Sequence, residues 1–449
     1  MSGFRCFQPS TGEWFVRIAL VACLAALADS RAEAQGVFLT SIGPINQSMG
    51  GAATAAPLDS AGALNWNPAA ISGLRNSEME FGIGLVLPSA TLSSSISANA
   101  LGPGFPPVTL SGSGRSDSGA MPVPTIAIAH HVRDSQWTLG LGVYGIGGFS
   151  ANYPASTTNP ILTPQAPFGL GLGRIYSQAQ IYQIVPTASY AITEKLSIGF
   201  APTIDMAQII ADPLFLAAPN NANGDAFATY GPGDGTRVSW GAGFQVGVYY
   251  ITNNFWHFGA SYKSQQWFEP FHYNSQDELG RPTVAKINFN LPSITSFGAA
   301  YTGINRWLFA TDVRYYNYAG AVGFNQSGFN ADNSVAGLGW RSVWSVSTGA
   351  QFDATQRLAL RMGYTYGQNP VPSSMSMYNV ASALIIQNWL SIGGSYRLAN
   401  NVSANFAWTH GFQNQITGPY QSVIGPVPGT SITSTVASEI LNAGLTVTY

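Results

Sequence analysis

The last ten residues of the chain, Ile440-Leu-Asn-Ala-Gly-Leu-Thr-Val-Thr-Tyr449, decide the fold. Successive side chains of an extended strand point to opposite faces. Leu441, Leu445 and Tyr449 therefore share one apolar face, and the residues between them form a small, polar one. A strand with one apolar face and a terminal aromatic residue is typical of the strand that closes a barrel in a bacterial outer membrane. The stretch therefore predicts a transmembrane β-barrel.

The composition agrees with a membrane barrel and excludes other classes. Only 8% of the residues are charged and 46% are hydrophobic, whereas a soluble domain carries roughly 25% charged residues. Mean hydropathy is nevertheless only +0.10, and beyond the N-terminus no run of ~18 apolar residues predicts a spanning helix. The formal net charge of −2 gives no indication of a nucleic-acid partner.

The N-terminus predicts a secretory signal peptide over residues 1–34. Arginines supply positive charge, an apolar run follows, and Ala32-Glu-Ala34 is a cleavage motif. Both cysteines, Cys6 and Cys23, lie in this segment, so the mature chain would have no thiol for redox or thiolate–metal chemistry. Lipid attachment at Cys23 is the alternative, and the apolar run that continues past Cys23 argues against it.

Two regions follow the signal peptide. Residues 35–76 are small and polar without a period of two, and residues 77–449 alternate strand-like segments with turns rich in glycine, proline, asparagine and serine. An even number of strands is expected for this barrel class. The predicted fold class is therefore all-β, a transmembrane antiparallel β-barrel of about 14 strands. The segments start near Glu78, Pro122, Trp137, Ser177, Leu196, Val238, Phe255, Lys286, Trp307, Val343, Leu358, Leu384, Val402 and Ile432.

Charged residues in the strand-like segments fall on the less apolar face. In the segment from Trp307, the aromatic residues at 307, 309 and 315 share one face, whereas Asp312 and Arg314 share the other. A charge that faces lipid at the bilayer midplane costs ~2–4 kcal/mol. Long polar connections, at residues 101–120, 151–175, 213–235 and 324–339, alternate with short turns, which predicts an extracellular and a periplasmic end.

Several groups of residues, in this order along the chain, resemble motifs of the FadL family of outer-membrane transporters for long-chain fatty acids and other hydrophobic compounds. They cover nearly the whole mature chain. They are Asn67-Pro68-Ala69 with its preceding small residues, Gly259-Ala-Ser-Tyr262-Lys263-Ser264, Leu291-Pro292 with Phe297-Gly298-Ala-Ala-Tyr301, Leu360-Arg361-Met-Gly363-Tyr364-Thr-Tyr366 with Asn369-Pro370-Val-Pro372, and residues 389–410 with Trp408-Thr409-His410.

The resemblance implies a 14-stranded barrel whose lumen is blocked by a small N-terminal plug. Residues 35–76 would form this plug, and Asn67, Pro68 and Ala69 would contact the barrel wall. Asn67 and Pro68 also suit a helix start, with Asn67 as the cap, and the two roles are compatible.

The resemblance also implies that an apolar ligand leaves sideways through a gap at a kink in the third strand. Glycine permits a bend or bulge, so Gly145, Gly147 and Gly148 are the predicted kink. The alternative is ordinary enrichment of glycine at a strand end.

One departure from the family pattern concerns the ligand. Fatty-acid transporters of the family hold a carboxylate with basic residues, and this chain has few charges. Lys263, Arg314 and Arg361 face the lumen in the predicted register, and Asp312 lies close enough to neutralise Arg314. A neutral ligand, such as an aromatic hydrocarbon, is therefore an open alternative to a fatty acid.

Apolar residues near the predicted loops are the other ligand candidates. A hydrophobic binding site at the cell surface needs such a patch. The candidates are Leu214, Phe215, Leu216, Trp267, Phe268 and Phe271.

No motif predicts catalysis, a metal site or a cofactor. The five histidines are scattered, and neighbours on a strand such as His130 and His131 point to opposite faces. There is no Gly-x-Ser-x-Gly elbow. The sequence therefore predicts passive outer-membrane transport of hydrophobic small molecules by a monomer whose partners are the outer-membrane lipid and its ligand. A general porin for polar solutes and a structural or adhesive surface barrel are the alternatives.

Overall fold

The computed structural model describes residues 36–449, and its main body is a closed barrel of fourteen antiparallel strands. Each strand pairs with the next along the chain, and the last pairs with the first. The strands are β1 Glu78–Ile96, β2 Met121–His131, β3 Trp137–Tyr153, β4 Ile175–Ala191, β5 Leu196–Asp212, β6 Ser239–Ile251, β7 Trp256–Lys263, β8 Ile294–Tyr301, β9 Trp307–Tyr316, β10 Val343–Asp353, β11 Leu358–Gly367, β12 Asn388–Ala399, β13 Val402–Gly418 and β14 Thr430–Thr448. The predicted signal peptide, residues 1–34, lies outside the described residues.

The predicted fold class is confirmed, and the terminal strand closes the barrel as expected. β14 pairs with β1 from Glu78↔Thr448 to Ile96↔Thr430. Twelve predicted strand starts lie within two residues of the observed ones. The starts at Lys286 and Leu384 are wrong. Lys286 lies in Pro282–Ile287, an extracellular strand with the same period of two. Periodicity alone therefore did not distinguish this strand from a strand of the barrel wall.

The outer face of the barrel is apolar because lipid offers no partner to polar side chains. Leu441 and Leu445 are 36% and 45% exposed, and Tyr449 is 56% exposed at the strand end. At the end with short turns, aromatic residues of neighbouring strands pack together, with ring centroids 4.8 Å apart for Trp137 and Tyr190. Such a girdle marks the periplasmic membrane interface.

Two short helices and a 3-10 turn fill the lumen, and the segment that they form is here called the plug. They are α1 Gly43–Ser48, α2 Ser60–Trp66 and the 3-10 turn Pro68–Gly73. Pro44 begins α1, Asp59 caps α2 by accepting the Gly62 N–H, and Asn67 caps the 3-10 turn. Nearly all of these residues are buried, so the segment packs as an interior body against the wall. None of the helices within residues 36–449 has the length and apolarity needed to cross a membrane.

The remaining elements lie at the end with long loops, which is the extracellular end. The strand Leu110–Arg115 extends the sheet from β1, and Trp267–Phe268 pairs with β6. Small sheets and 3-10 turns cover the opening: Gly235–Thr236, Phe271–Gln276, Pro282–Ile287, Gln421–Ser422, Gly425–Pro426, Pro160–Leu162, Tyr318–Gly320, Ser373–Met375 and Met377–Asn379.

Candidate functional site

An acidic and a basic residue on β9 hold the plug in the lumen. One carboxylate oxygen of Asp312 accepts the backbone N–H groups of Ala53 and Thr54 at 2.8 and 2.9 Å, and the Thr54 hydroxyl at 2.8 Å. Arg314 pairs with the same oxygen at 2.5 Å and donates to the Gly51 carbonyl at 2.6 Å. The guanidinium also lies 3.5 Å from the ring centroid of Trp66. The pair neutralises itself, as the sequence suggested, and its contacts go to the plug.

Asn67 joins two parts of the plug to the barrel wall. Its amide donates to the Thr54 carbonyl at 2.8 Å and to the Val248 carbonyl of β6 at 3.0 Å, and its side-chain oxygen accepts the Ala69 N–H at 3.1 Å. The wall must come close for these bonds. A Cβ on Gly247 would lie only 2.0 Å from the Asn67 side-chain oxygen, so glycine is required there.

Carboxylates from the wall complete the N-terminus of α2. Glu78 accepts the Ser60 N–H at 2.6 Å, and Glu80 accepts the Ala61 N–H at 3.3 Å. These two hydrogen bonds dock α2 on β1. Asp59 is buried beside them, and that burial raises the pKa of Asp59 to about 6.

The wall has a window between β2 and β3. Their pairing stops at Thr125↔Tyr144. Above this pair, β3 has a register shift against β4 between Gly145 and Gly147, which is a bulge. The connection that precedes β2 contacts β3 again at Asn152, whose carbonyl accepts the Asp117 N–H at 2.8 Å. The predicted kink glycines therefore lie in a stretch of β3 that has no partner on the β2 side.

The N-terminal segment crosses the lumen and pairs with the bulge. Leu39 donates its N–H to the Ile146 carbonyl at 2.9 Å, and Gly148 donates to the Val37 carbonyl at 3.2 Å. A Cβ on Gly147 would lie 2.6 Å from that Val37 carbonyl. Residues 37–39, here called the strap, thus lie against the inner edge of the window.

Three adjacent apolar cavities lie between the extracellular loops and the window. A cavity of about 50 Å³ beneath the loops shares Val37, Phe149 and Leu384 with a larger cavity of about 110 Å³ beside the strap. The larger cavity shares Leu39 and Gly148 with a cavity of about 40 Å³ inside the window. No charged side chain of the described residues lines any of the three.

The basic residues expected to hold a ligand lie away from these cavities. Lys263 is buried and donates to Asn65 of the plug at 3.1 Å and to Gln183 at 3.0 Å. Arg314 contacts the plug, and Arg361 faces a separate chamber at the periplasmic end. An inward position on a strand does not determine which compartment the side chain meets.

The apolar candidates divide into three groups. Leu214, Phe215 and Leu216 line the cavity beneath the loops. Trp267 is 51% exposed on the outer face, because its pairing with Ala242 of β6 directs it away from the lumen. Phe268 and Phe271 form the last group and pack in the interior, with ring centroids 5.7 Å apart.

Three parts of the arrangement were not expected from the sequence. The strap and residues 381–384 line the larger cavities. Neither segment has a hydrophobic period that indicates a cavity. Pro122 and Pro124 lie on β2 at the window. Proline has no N–H to donate and is confined to sheet edges and bulges, so the Met-Pro-Val-Pro run at 121–124 was a usable signal.

The fold and site define a class: an outer-membrane β-barrel with a filled lumen and apolar interior cavities. The chain belongs to the outer membrane protein transport protein family (OMPP1/FadL/TodX), whose model matches residues 21–449. It is a bacterial outer-membrane protein that transports hydrophobic compounds, and the porin and structural alternatives are not supported.

Solved structures with the same fold are distant in sequence. The P. putida toluene transporter TodX is 15% identical, with a TM-score of 0.65. A Pseudomonas aeruginosa FadL homologue is 13% identical with a TM-score of 0.68, and the Ralstonia pickettii toluene transporter TbuX is 16% identical with a TM-score of 0.63. Each similarity covers 92% of this chain and 99% of the other. No curated protein sequence matches the chain.

Proposed function

We propose that the chain carries neutral hydrophobic molecules, such as monoaromatic hydrocarbons, from the cell surface into the outer membrane through the window between β2 and β3. One observation carries the proposal: the three cavities between the loops and the window have no charged side chain among their described lining residues. A fatty-acid carboxylate buried there would have no cation, and an unpaired buried charge is strongly unfavourable.

Capture begins at the cavity beneath the loops. Leu214 and Phe215 line it, together with Phe289 and Trp340. An apolar solute gains ~25 cal/mol for each Å² of apolar surface that leaves water. The gain does not require a polar contact, so this cavity suits ligands without a charged or hydrogen-bonding group.

Movement of the strap connects capture to release. Val37 lines both larger cavities, Phe38 and Leu39 line one of them, and two backbone hydrogen bonds hold the strap to the bulge. Outward displacement of these residues would join the cavities to the window, and the solute would leave between Val123 and Gly145. No energy source is needed when the concentration falls in that direction.

The plug directs the solute sideways. Asn67, Pro68 and Ala69 are buried against the wall, and the Asp312–Arg314 pair holds the preceding turn. With the plug in place, a solute has no direct route to the periplasm. The chain acts as a monomer and catalyses no reaction in this proposal, and the similarity to two toluene transporters, TodX and TbuX, is consistent with it.

Uptake by intact cells tests the proposal. Cells with and without the protein receive labelled toluene or a labelled long-chain fatty acid, and heat-modifiable migration on gels verifies the folded barrel. We expect faster uptake of toluene and little change for the fatty acid. Equal uptake of toluene in both strains would contradict the transport proposal, and faster uptake of the fatty acid alone would contradict the neutral-ligand assignment.

A further inference from the structure

A polar chamber lies below the plug, on the side opposite to the apolar cavities. Its volume is about 1050 Å³, and it opens between the periplasmic turns. Arginines outnumber acidic residues in its lining: Arg75, Arg306, Arg357, Arg361 and Arg397 against Glu78 and Asp353. Three of these arginines line neither the apolar cavities nor the contacts that hold the plug. They are Arg361 on β11, Arg397 on β12 and Arg357 in the turn before β11.

Two of the three arginines face each other across neighbouring strands. The Arg397 N–H donates to the Arg357 carbonyl at 2.8 Å. Outward neighbours such as Leu360 and Tyr396 fix the register, so both arginine side chains point into the lumen. Among residues 36–449, neither guanidinium has a hydrogen-bond or ion-pair partner. Like charges directly opposite each other destabilise a sheet, so a bound anion would stabilise the arrangement.

The third arginine supplies a fixed charge deeper in the same wall. Arg361 is only 8% exposed. It donates to the Gln351 side-chain oxygen at 2.6 Å and to the Ser395 hydroxyl at 2.7 Å, both neutral groups. These bonds orient the guanidinium, and the carboxyl groups of Asp59, Asp353 and Glu80 lie near enough to act on its charge. The nearby Asp353 accepts the Gln351 amide at 2.9 Å, and the five arginines that line the chamber still outnumber its two acidic residues.

Neutral donors continue the surface beyond the arginines. Ser403 and Asn405 of β13 and Thr446 and Thr448 of β14 line the same chamber. A wall of guanidinium groups next to hydroxyl groups matches an oxyanion with several oxygens, because guanidinium binds phosphate with two parallel hydrogen bonds. The low-dielectric walls of a cleft also concentrate the electric field of its charged groups.

We infer that Arg357, Arg361 and Arg397, here called the basic wall, bind a phosphate group that enters from the periplasmic side. The basic wall is separate from the transport path, so the inference does not depend on the proposed ligand. Two sources present this chemistry: a free phosphorylated solute in the periplasm, and the headgroup of an anionic phospholipid of the inner leaflet, which meets the rim near the turn at Arg357.

Calorimetry on the purified full barrel in neutral detergent tests the first source. Inorganic phosphate is titrated into the wild type, into R357Q/R397Q, and into R115Q/R174Q, a matched loss of two arginines at the extracellular end. We expect binding that weakens at least tenfold in R357Q/R397Q, is unchanged in R115Q/R174Q, and falls as salt rises. Heat-modifiable migration verifies that each variant is folded.

Native mass spectrometry from nanodiscs of mixed phosphatidylglycerol and phosphatidylcholine tests the second source. Retention of phosphatidylglycerol that is lost in R357Q/R397Q and kept in R115Q/R174Q would support the headgroup. The inference is overturned if neither probe binds, if both double variants lose binding equally, or if the wild type binds an acidic peptide and neither phosphate probe.

Discussion

Replacing Asp312 by alanine should release the plug. One carboxylate oxygen accepts three hydrogen bonds from Ala53 and Thr54 and pairs with Arg314 at 2.5 Å, with both side chains almost fully buried. The substitution leaves the Arg314 charge without its partner, and breaking a buried pair in this way costs about 3–5 kcal/mol. The equilibrium between docked and released plug should therefore shift by roughly 200- to 5000-fold.

Conductance of single barrels in planar bilayers measures this shift. The wild type should be closed to ions, because the plug fills the lumen, and D312A should show frequent openings. D353A is the matched control, since Asp353 lies on the inner wall below the plug and, among residues 36–449, its side chain accepts a hydrogen bond from Gln351 and none from the plug. Closed D312A barrels with normal folding, or equal opening in D353A, would refute the argument that this pair holds the plug.

Three further predictions concern the plug and the path. N67A removes the hydrogen bonds to the Thr54 and Val248 carbonyls, which should weaken docking of the plug by about 1–3 kcal/mol. Its conductance should therefore rise less than that of D312A, and conductance equal to the wild type would contradict the bridging role of Asn67. L384K places an unpaired ammonium between the two larger cavities and should lower toluene uptake at least tenfold, whereas L384M should keep the uptake of the wild type. Equal uptake by the two variants would show that toluene takes another path. Burial raises the pKa of Asp59 to about 6, so the docked plug holds this proton more tightly than the released plug, and docking should strengthen as pH falls from about 6 towards 4. Conductance against pH checks it, and a D59N barrel with an unchanged profile would contradict it.

The strands were accessible from the sequence because lipid imposes a strict rule on them. Every second residue of such a strand faces lipid and must be apolar. The rule located β14 and most of the other strands from periodicity alone. It failed at Lys286, where an extracellular strand has the same period without contacting lipid, since a period reports an extended chain and not the medium around it.

The lumen was less accessible because several environments share the inward face. Arg314 and Lys263 point inward as predicted, but they contact the plug, and Arg361 points inward into the periplasmic chamber. Only the folded position of the plug separates these compartments. The larger apolar cavities depend on residues 37–39 and 381–384, which meet through the tertiary structure and have no shared sequence signal.

A reversible closure of the window tests the central claim most directly. A Cβ on Gly145 would lie 2.8 Å from a Val123 side-chain carbon, so cysteines at both positions bring two sulfurs within reach of a disulfide. Toluene uptake by cells with the V123C/G145C barrel should be lost on oxidation and recover after reduction, and either single cysteine variant should be insensitive to both treatments. Uptake that continues through the oxidised, fully cross-linked barrel would contradict release between β2 and β3.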